Sequence, residues 1–225
     1  MSGITVSIAP EGQLRYGNYI SRTGLLGPGE RFVLWVQGCF AGCRGCVAEE
    51  FQYPDRGKLI AITELAALIA GDAGTEGITI SGGEPFLQAD RVCELVKLVK
   101  RTRPEMSLML YTGFTYEELQ GSGEESVTEL LSLADVLIDG RYTEELNDDA
   151  GLRGSSNQRI IHLTDRYRGS GELDPGGART GTFVTMNGRM FMVGVPNKET
   201  ERLHRTLKVM YPFPPQDKND NGENL

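Results

Sequence analysis

The chain has 225 residues and carries 31 acidic against 23 basic side chains, for a formal net charge of −8 and a pI near 4.9. Such a surface repels phosphate backbones, which argues against nucleic-acid binding, and apolar runs such as Phe32–Val36 fall far short of the roughly 20 residues that cross a bilayer. No basic start followed by an apolar stretch opens the chain, so a cytoplasmic location away from membranes is expected. The 29 glycines are about twice the usual share of roughly 7% and follow no Gly-X-Y period, which predicts many tight loops.

Residues 1–31 read as loop-rich, with one short strand over Ile4–Ile8. Phe32–Val36 is β-branched and aromatic, the pattern of a buried strand. A helix follows over 63–70, capped by Thr63, with Ile62, Leu65 and Ile69 on one face and Gly71 at its end. Ile78–Ile80 is the next strand. Residues 88–101 repeat Val92, Leu95, Val96 and Val99 at helical spacing, with Lys97, Lys100 and Arg101 at the negative end of the dipole. Ser107–Tyr111 is a strand, 115–134 is helical with a Gly/Ser break at 121–124, and Val136–Ile138 and Arg159–Leu163 are further strands. This alternation predicts an α/β fold with parallel strands and helical crossovers.

Residues 169–181 read as a flexible connection. Beyond it, Thr182–Met186 and Arg189–Val193 flank Asn187-Gly188, a hairpin signal, and a helix over about 197–209 follows. The expected division is a main domain over 1–168, a hairpin–helix extension over 169–212, and a disordered tail over 213–225.

Three of the four cysteines crowd into Cys39-x3-Cys43-x2-Cys46, directly after a strand. Thiolates at such spacing suit an iron–sulfur cluster or zinc, although a structural zinc site wants four protein ligands. One strand later, Gly82-Gly83-Glu84-Pro85 follows Ile78–Ser81, and two glycines there let a ligand approach the backbone. Cys93 lies mid-helix and reads as a packed thiol, Trp35 as core, and His162 and His204 as residues without a visible catalytic partner. Met186, Met190 and Met192 cluster in the hairpin and read mostly as packing.

The cysteine run and the Gly-Gly-Glu loop together resemble the radical S-adenosylmethionine superfamily. Three further segments narrow the likeness: Tyr111-Thr112-Gly113-Phe114, Ala134 to Tyr142, and Leu152 to Ile160. They are similar to the anaerobic ribonucleotide reductase activating enzymes, the glycyl-radical activase-like branch. The resemblance covers roughly 20–165. It implies an incomplete TIM-type (βα) barrel of five or six parallel strands, with a C-terminal hairpin and helix added. It implies that Cys39, Cys43 and Cys46 hold a [4Fe-4S] cluster whose fourth iron chelates S-adenosylmethionine, and that Gly82, Gly83 and Glu84 contact that cofactor. Thr112, Asp139 and Asn157 would lie at the strand ends around it, with Arg141 beside them.

The implied chemistry is reductive cleavage of S-adenosylmethionine by an electron from a flavodoxin- or ferredoxin-type donor. The resulting 5′-deoxyadenosyl radical abstracts hydrogen from a protein substrate, a glycyl-radical enzyme. A ribosomally made peptide is the alternative substrate, and an iron–sulfur or zinc module without catalysis is the non-enzyme alternative. This chain departs from the pattern in three places. Gly45 stands where many superfamily members carry an aromatic, Leu26 where an acidic residue commonly precedes the glycines, and some sixty residues follow the last shared segment. That added hairpin reads as a docking surface that cluster assembly does not need.

Overall fold

The computed structural model describes residues 3–6, 8–174, 176–186 and 189–210. Its centre is a sheet of β1 (Gln13–Thr23), β2 (Arg31–Val36), β3 (Lys58–Ala61), β4 (Gly77–Gly82), β5 (Ser107–Tyr111), β6 (Val136–Asp139) and β7 (Arg159–His162). The order across the sheet is β3-β1-β2-β4-β5-β6-β7. β2, β4, β5 and β6 are parallel, whereas β1 and β3 at one edge and β7 at the other are antiparallel. The expected five or six parallel strands are therefore four. A parallel return needs a crossover, usually helical, and between β6 and β7 the chain forms only a short 3-10 turn over Glu144–Leu146.

Two strands escaped the sequence reading, and one expected strand is absent. Residues 4–6 and 8 are not in a strand, and Val6 N–H instead donates to the Leu87 carbonyl at 2.8 Å. β3 is the edge strand and β1 lies beside it. β1 has register shifts between Tyr16 and Asn18 and between Ile20 and Thr23, which erase the alternation by which a strand is recognised.

Four helices, α1 (Ile62–Gly71), α2 (Ala89–Thr102), α3 (Tyr116–Gln120) and α4 (Glu125–Leu133), follow the expected segments. α1 begins at Ala61 with no side-chain cap, so Thr63 lies inside the helix rather than capping it. The break at 121–124 separates α3 from α4. α3 is fixed by a capping box in which Thr115 and Glu118 satisfy each other's backbone amides. At the C-terminal end of α2, Lys100 Nζ donates to the Leu133 carbonyl at 3.0 Å and closes the end of α4.

Strand alternation then sorts the core. Phe32, Leu34, Val36, Ile78, Ile80, Leu108, Leu110 and Leu137 pack under α1, α2 and α4. Val33, Trp35, Met109, Val136 and Ile138 face the other way. That second face is covered by loops and by the C-terminal extension, comprising β8 (Gly181–Met186), β9 (Arg189–Gly194) and α5 (Lys198–Met210). Val193 is buried there with Val184 and Val195 against Leu26, Trp35 and Phe51. The connection before β8 is tied down at two points, by Leu173 against Met109 and Ile138 and by the buried Arg179. The expected turn at Asn187-Gly188 and the tail over 213–225 lie outside the described residues. Among the described residues, no helix is long and apolar enough to cross a membrane.

Candidate metal and cofactor site

The carboxyl ends of the four parallel strands and the start of β7 lie along one edge of the sheet, so the loops that follow them converge. Cys39, Cys43 and Cys46 line one cavity there, together with Gly82, Gly83, Glu84 and Thr112. The cysteine loop is anchored at its start by two backbone bonds of 2.8 Å, Gly38 N–H to the Phe51 carbonyl and Cys39 N–H to that of Gln52. The Ala41 amide donates to Cys39 Sγ at 3.4 Å. Burial pushes the Cys39 thiol up to about 11, and the neighbouring Glu84, Cys46 and Cys43 add to the effect. Burial also raises Cys46. At neutral pH Cys39 and Cys46 are therefore thiols, and a metal held by them would have to displace their protons.

The Gly-Gly-Glu loop is held against the cysteine loop by backbone. Gly83 N–H donates to the Val36 carbonyl and Glu84 N–H to that of Gly38, both at 2.8 Å. A Cβ on Gly83 would collide with the Gly38 carbonyl. Glycine is needed here because two loops touch, and not only because a ligand must approach. The Glu84 side chain is buried and fully engaged. It accepts from Phe86 N–H at 3.1 Å and from Thr112 Oγ1 and Gly113 N–H at 2.8 Å each. Burial raises its carboxyl to about 7, against these three donors, which favour the charged form.

The other expected contacts divide. Thr112 lines the cavity, although its hydroxyl is spent on Glu84. Asp139, Arg141 and Asn157 sit at the strand ends but do not line the cavity. Asp139 shares the β6 face of Leu137, which turns it towards the helices. Its carboxylate accepts from Tyr116 N–H at 2.7 Å and pairs with Arg159. Asn157 is exposed and donates to the Arg141 carbonyl at 2.8 Å. The neighbouring Gln158 faces the cavity instead. Its amide donates to the Gly140 carbonyl at 2.7 Å and accepts from Gly154 N–H at 2.8 Å.

Sequence reasoning also missed Arg179, Met192, Val195, Pro196 and Glu201, all of which line the cavity. The hairpin signal marked the fold of this segment, but nothing in the pattern said where it would pack. His162 and His204 do not line the cavity, and His204 is buried against the Phe183 ring. Among the described residues, no three His, Cys, Asp or Glu side chains are gathered to hold a single metal ion. Three thiols with no fourth protein ligand do not make a structural zinc site, whereas a cluster takes each thiolate on a separate iron. The donor set fits a cluster.

A family described as a 4Fe-4S single cluster domain matches residues 25–161, more than half of the chain. The chain belongs to that family. The anaerobic ribonucleoside-triphosphate reductase-activating protein of Enterobacteria phage T4 is 35% identical over 144 residues, 62% of this chain and 88% of its own length. The proteins of the same name from Vibrio cholerae and Escherichia coli K12 are 34% and 31% identical. Those alignments run over 159 and 158 residues, each 67% of this chain and 99% of the relative. These two relatives are matched over nearly their whole length, and the family match ends before β8, β9 and α5.

Proposed function

We propose that the chain is a radical S-adenosylmethionine activating enzyme. In this reading Cys39, Cys43 and Cys46 would hold a [4Fe-4S] cluster, Gly82-Gly83-Glu84 would contact S-adenosylmethionine, and the target would be a glycine Cα–H of an anaerobic ribonucleotide reductase. When bound and reduced by a low-potential flavodoxin- or ferredoxin-type donor, the cluster and S-adenosylmethionine supply the radical that takes this hydrogen. The observation that carries the reading is the gathering of three thiols and the Gly-Gly-Glu loop around one cavity, in a chain whose relatives are named reductase-activating proteins.

The protein's own part is to bind, orient and exclude water. Glu84 acts as a strut between the β4 and β5 loops, keeping their backbones open towards the cavity. Trp35 and Phe51, stacked with ring centroids 6.2 Å apart, give the site an apolar wall. Tyr111 adds a ring whose hydroxyl donates to the Leu152 carbonyl at 2.9 Å. Helices α1, α2 and α4 cover one face of the sheet and the cavity opens on the other, which supports an incomplete barrel.

Anaerobic reconstitution tests the reading in three steps. We expect about four irons and four sulfides per chain. The reduced protein should then convert S-adenosylmethionine to 5′-deoxyadenosine, and co-incubation should raise a glycyl radical signal in the reductase. A protein that loads stoichiometric zinc and no iron would overturn the cluster. Cleavage without a reductase radical would move the substrate to another protein or peptide.

A further inference from the structure

The added C-terminal segment is seated in the site and not beside it. Val193 is buried on the Trp35 and Phe51 wall. The Arg179 side chain, 1% exposed, donates to Asn147 Oδ1 at 2.6 Å and to the Arg153 carbonyl at 2.5 Å. Lys198 N–H reaches Asp149 Oδ1 at 2.8 Å, and Asn147 Nδ2 donates to Glu201 Oε2 at 3.3 Å. These contacts dock α5 onto the loop between β6 and β7, and through that loop it reaches Arg44 and Gly45 between the second and third cysteines.

Arg205 Nη2 donates to Glu144 Oε1 at 2.7 Å and to Glu201 Oε1 at 2.6 Å. The other oxygen of Glu144 lies 3.4 Å from Nε of Arg44, the residue that follows Cys43. At Gly45, just before Cys46, an added Cβ would stand 2.9 Å from Arg205 Nη2 and 3.0 Å from Glu144 Cδ, and φ there is +72°. The turn between the second and third cysteines therefore rests directly on this ion pair. The space where a side chain at position 45 would stand is taken by α5.

We propose that the C-terminal extension is a wall of the cavity and that Arg205 is a positioning residue for the cysteine loop, acting through Glu144. The proposal rests on reading the cavity as the cluster site. It replaces the expectation of a docking surface that cluster assembly does not need. The extension lies beyond the family match, so this support belongs to the longer chain.

The test uses the full-length protein with Arg205→Ala, Glu144→Gln, the double variant and Arg205→Lys. Hydrogen exchange of residues 40–48 is followed in the metal-free protein. The rate at which a chelator strips iron and the electron paramagnetic resonance spectrum are followed after reconstitution. Exposed ion pairs are individually modest, so each single variant should speed loop exchange and iron loss about two- to five-fold. The double variant should do no more than the larger single one, because both remove the same contact. Arg205→Lys should restore part of the effect and of the spectrum.

Unchanged exchange at 40–48, or additive effects of Arg205→Ala and Glu144→Gln, would overturn the clamp. So would faster exchange confined to α5 and the hairpin. If the unaltered protein assembles no iron–sulfur cluster, the functional reading fails. Exchange in the metal-free chain still decides whether Arg205 holds the loop.

Discussion

On the helix side of the central sheet, Phe32, Leu34, Ile78, Ile80, Leu108 and Leu110 are buried apolar side chains under α1, α2 and α4. The alternate positions of the same strands carry Arg31, Thr79, Ser81, Ser107 and Tyr111 among the apolar residues. Deep on that side the Arg31 guanidinium is wholly buried. It donates to Thr79 Oγ1 at 2.6 Å, Ser107 Oγ at 2.9 Å and the Ile78 carbonyl at 2.7 Å. One face is sealed by helices next to it in sequence, and the other by loops and an extension that arrive later. The difference separates tasks. The helix face supplies the apolar burial that makes the fold, and the opposite face spends part of its burial on polar groups that shape a cavity.

The cysteines offer the largest effect with which to break this separation. Cys39→Ala should abolish cluster loading while changing the stability of the metal-free protein by no more than about 1 kcal/mol. Cys93, buried on the helix side with its thiol 3.4 Å from the Ser126 carbonyl, should be replaceable by alanine with iron content intact. Leu95→Ala, on the buried face of α2, should cost about 2–5 kcal/mol in urea unfolding and still load iron in the folded fraction. A Leu95→Ala protein of unchanged stability would contradict the assignment of the helix face. Gly83→Ala is the substitution that should hit both properties. Its Cβ meets the Gly38 backbone, so about 1–3 kcal/mol of stability and part of the iron loading should be lost together.

The same separation explains what the sequence disclosed. α2 was legible because Val92, Leu95, Val96 and Val99 pack on one apolar surface, and their spacing mirrors that surface. The cysteines and the Gly-Gly-Glu loop were legible because each sits immediately after a buried strand. β3 at the edge and its neighbour β1 were not, since solvent contact along the short β3 and register shifts in β1 leave no period to detect. The resemblance alone implied a place for Asp139 beside the cofactor, but pleat parity turns it towards Arg159 and α3. Arg179 was hidden in a glycine-rich stretch, where composition suggests mobility and nothing local reveals a distant set of acceptors.

Glu84 gives the smallest and sharpest test, because it joins the two loops on the cavity side through a buried carboxyl. Its carboxyl titrates near 7 in the folded protein against an ordinary 4.5, and burial is the first cause. Below pH 4.5 the group is protonated in both folded and unfolded chains and contributes no pH dependence. Between 4.5 and about 7 the unfolded chain releases the proton while the folded one keeps it, so stability falls as pH rises. Above about 7 both forms are ionised and the loss levels off, at about 3 kcal/mol. Glu84→Gln removes the titration. The protonated carboxyl can turn its O–H to Thr112 Oγ1 and still accept from Phe86 and Gly113, whereas the glutamine NH2 must face one of those two N–H groups, so the variant should be weaker at low pH yet flatter across this window. Urea unfolding of the metal-free protein and the variant between pH 4.5 and 8 gives the difference directly, since the other titrating groups cancel. Parallel curves for the two proteins would mean that the carboxyl is solvated, and the strut between the β4 and β5 loops would then be no stiffer than any surface contact.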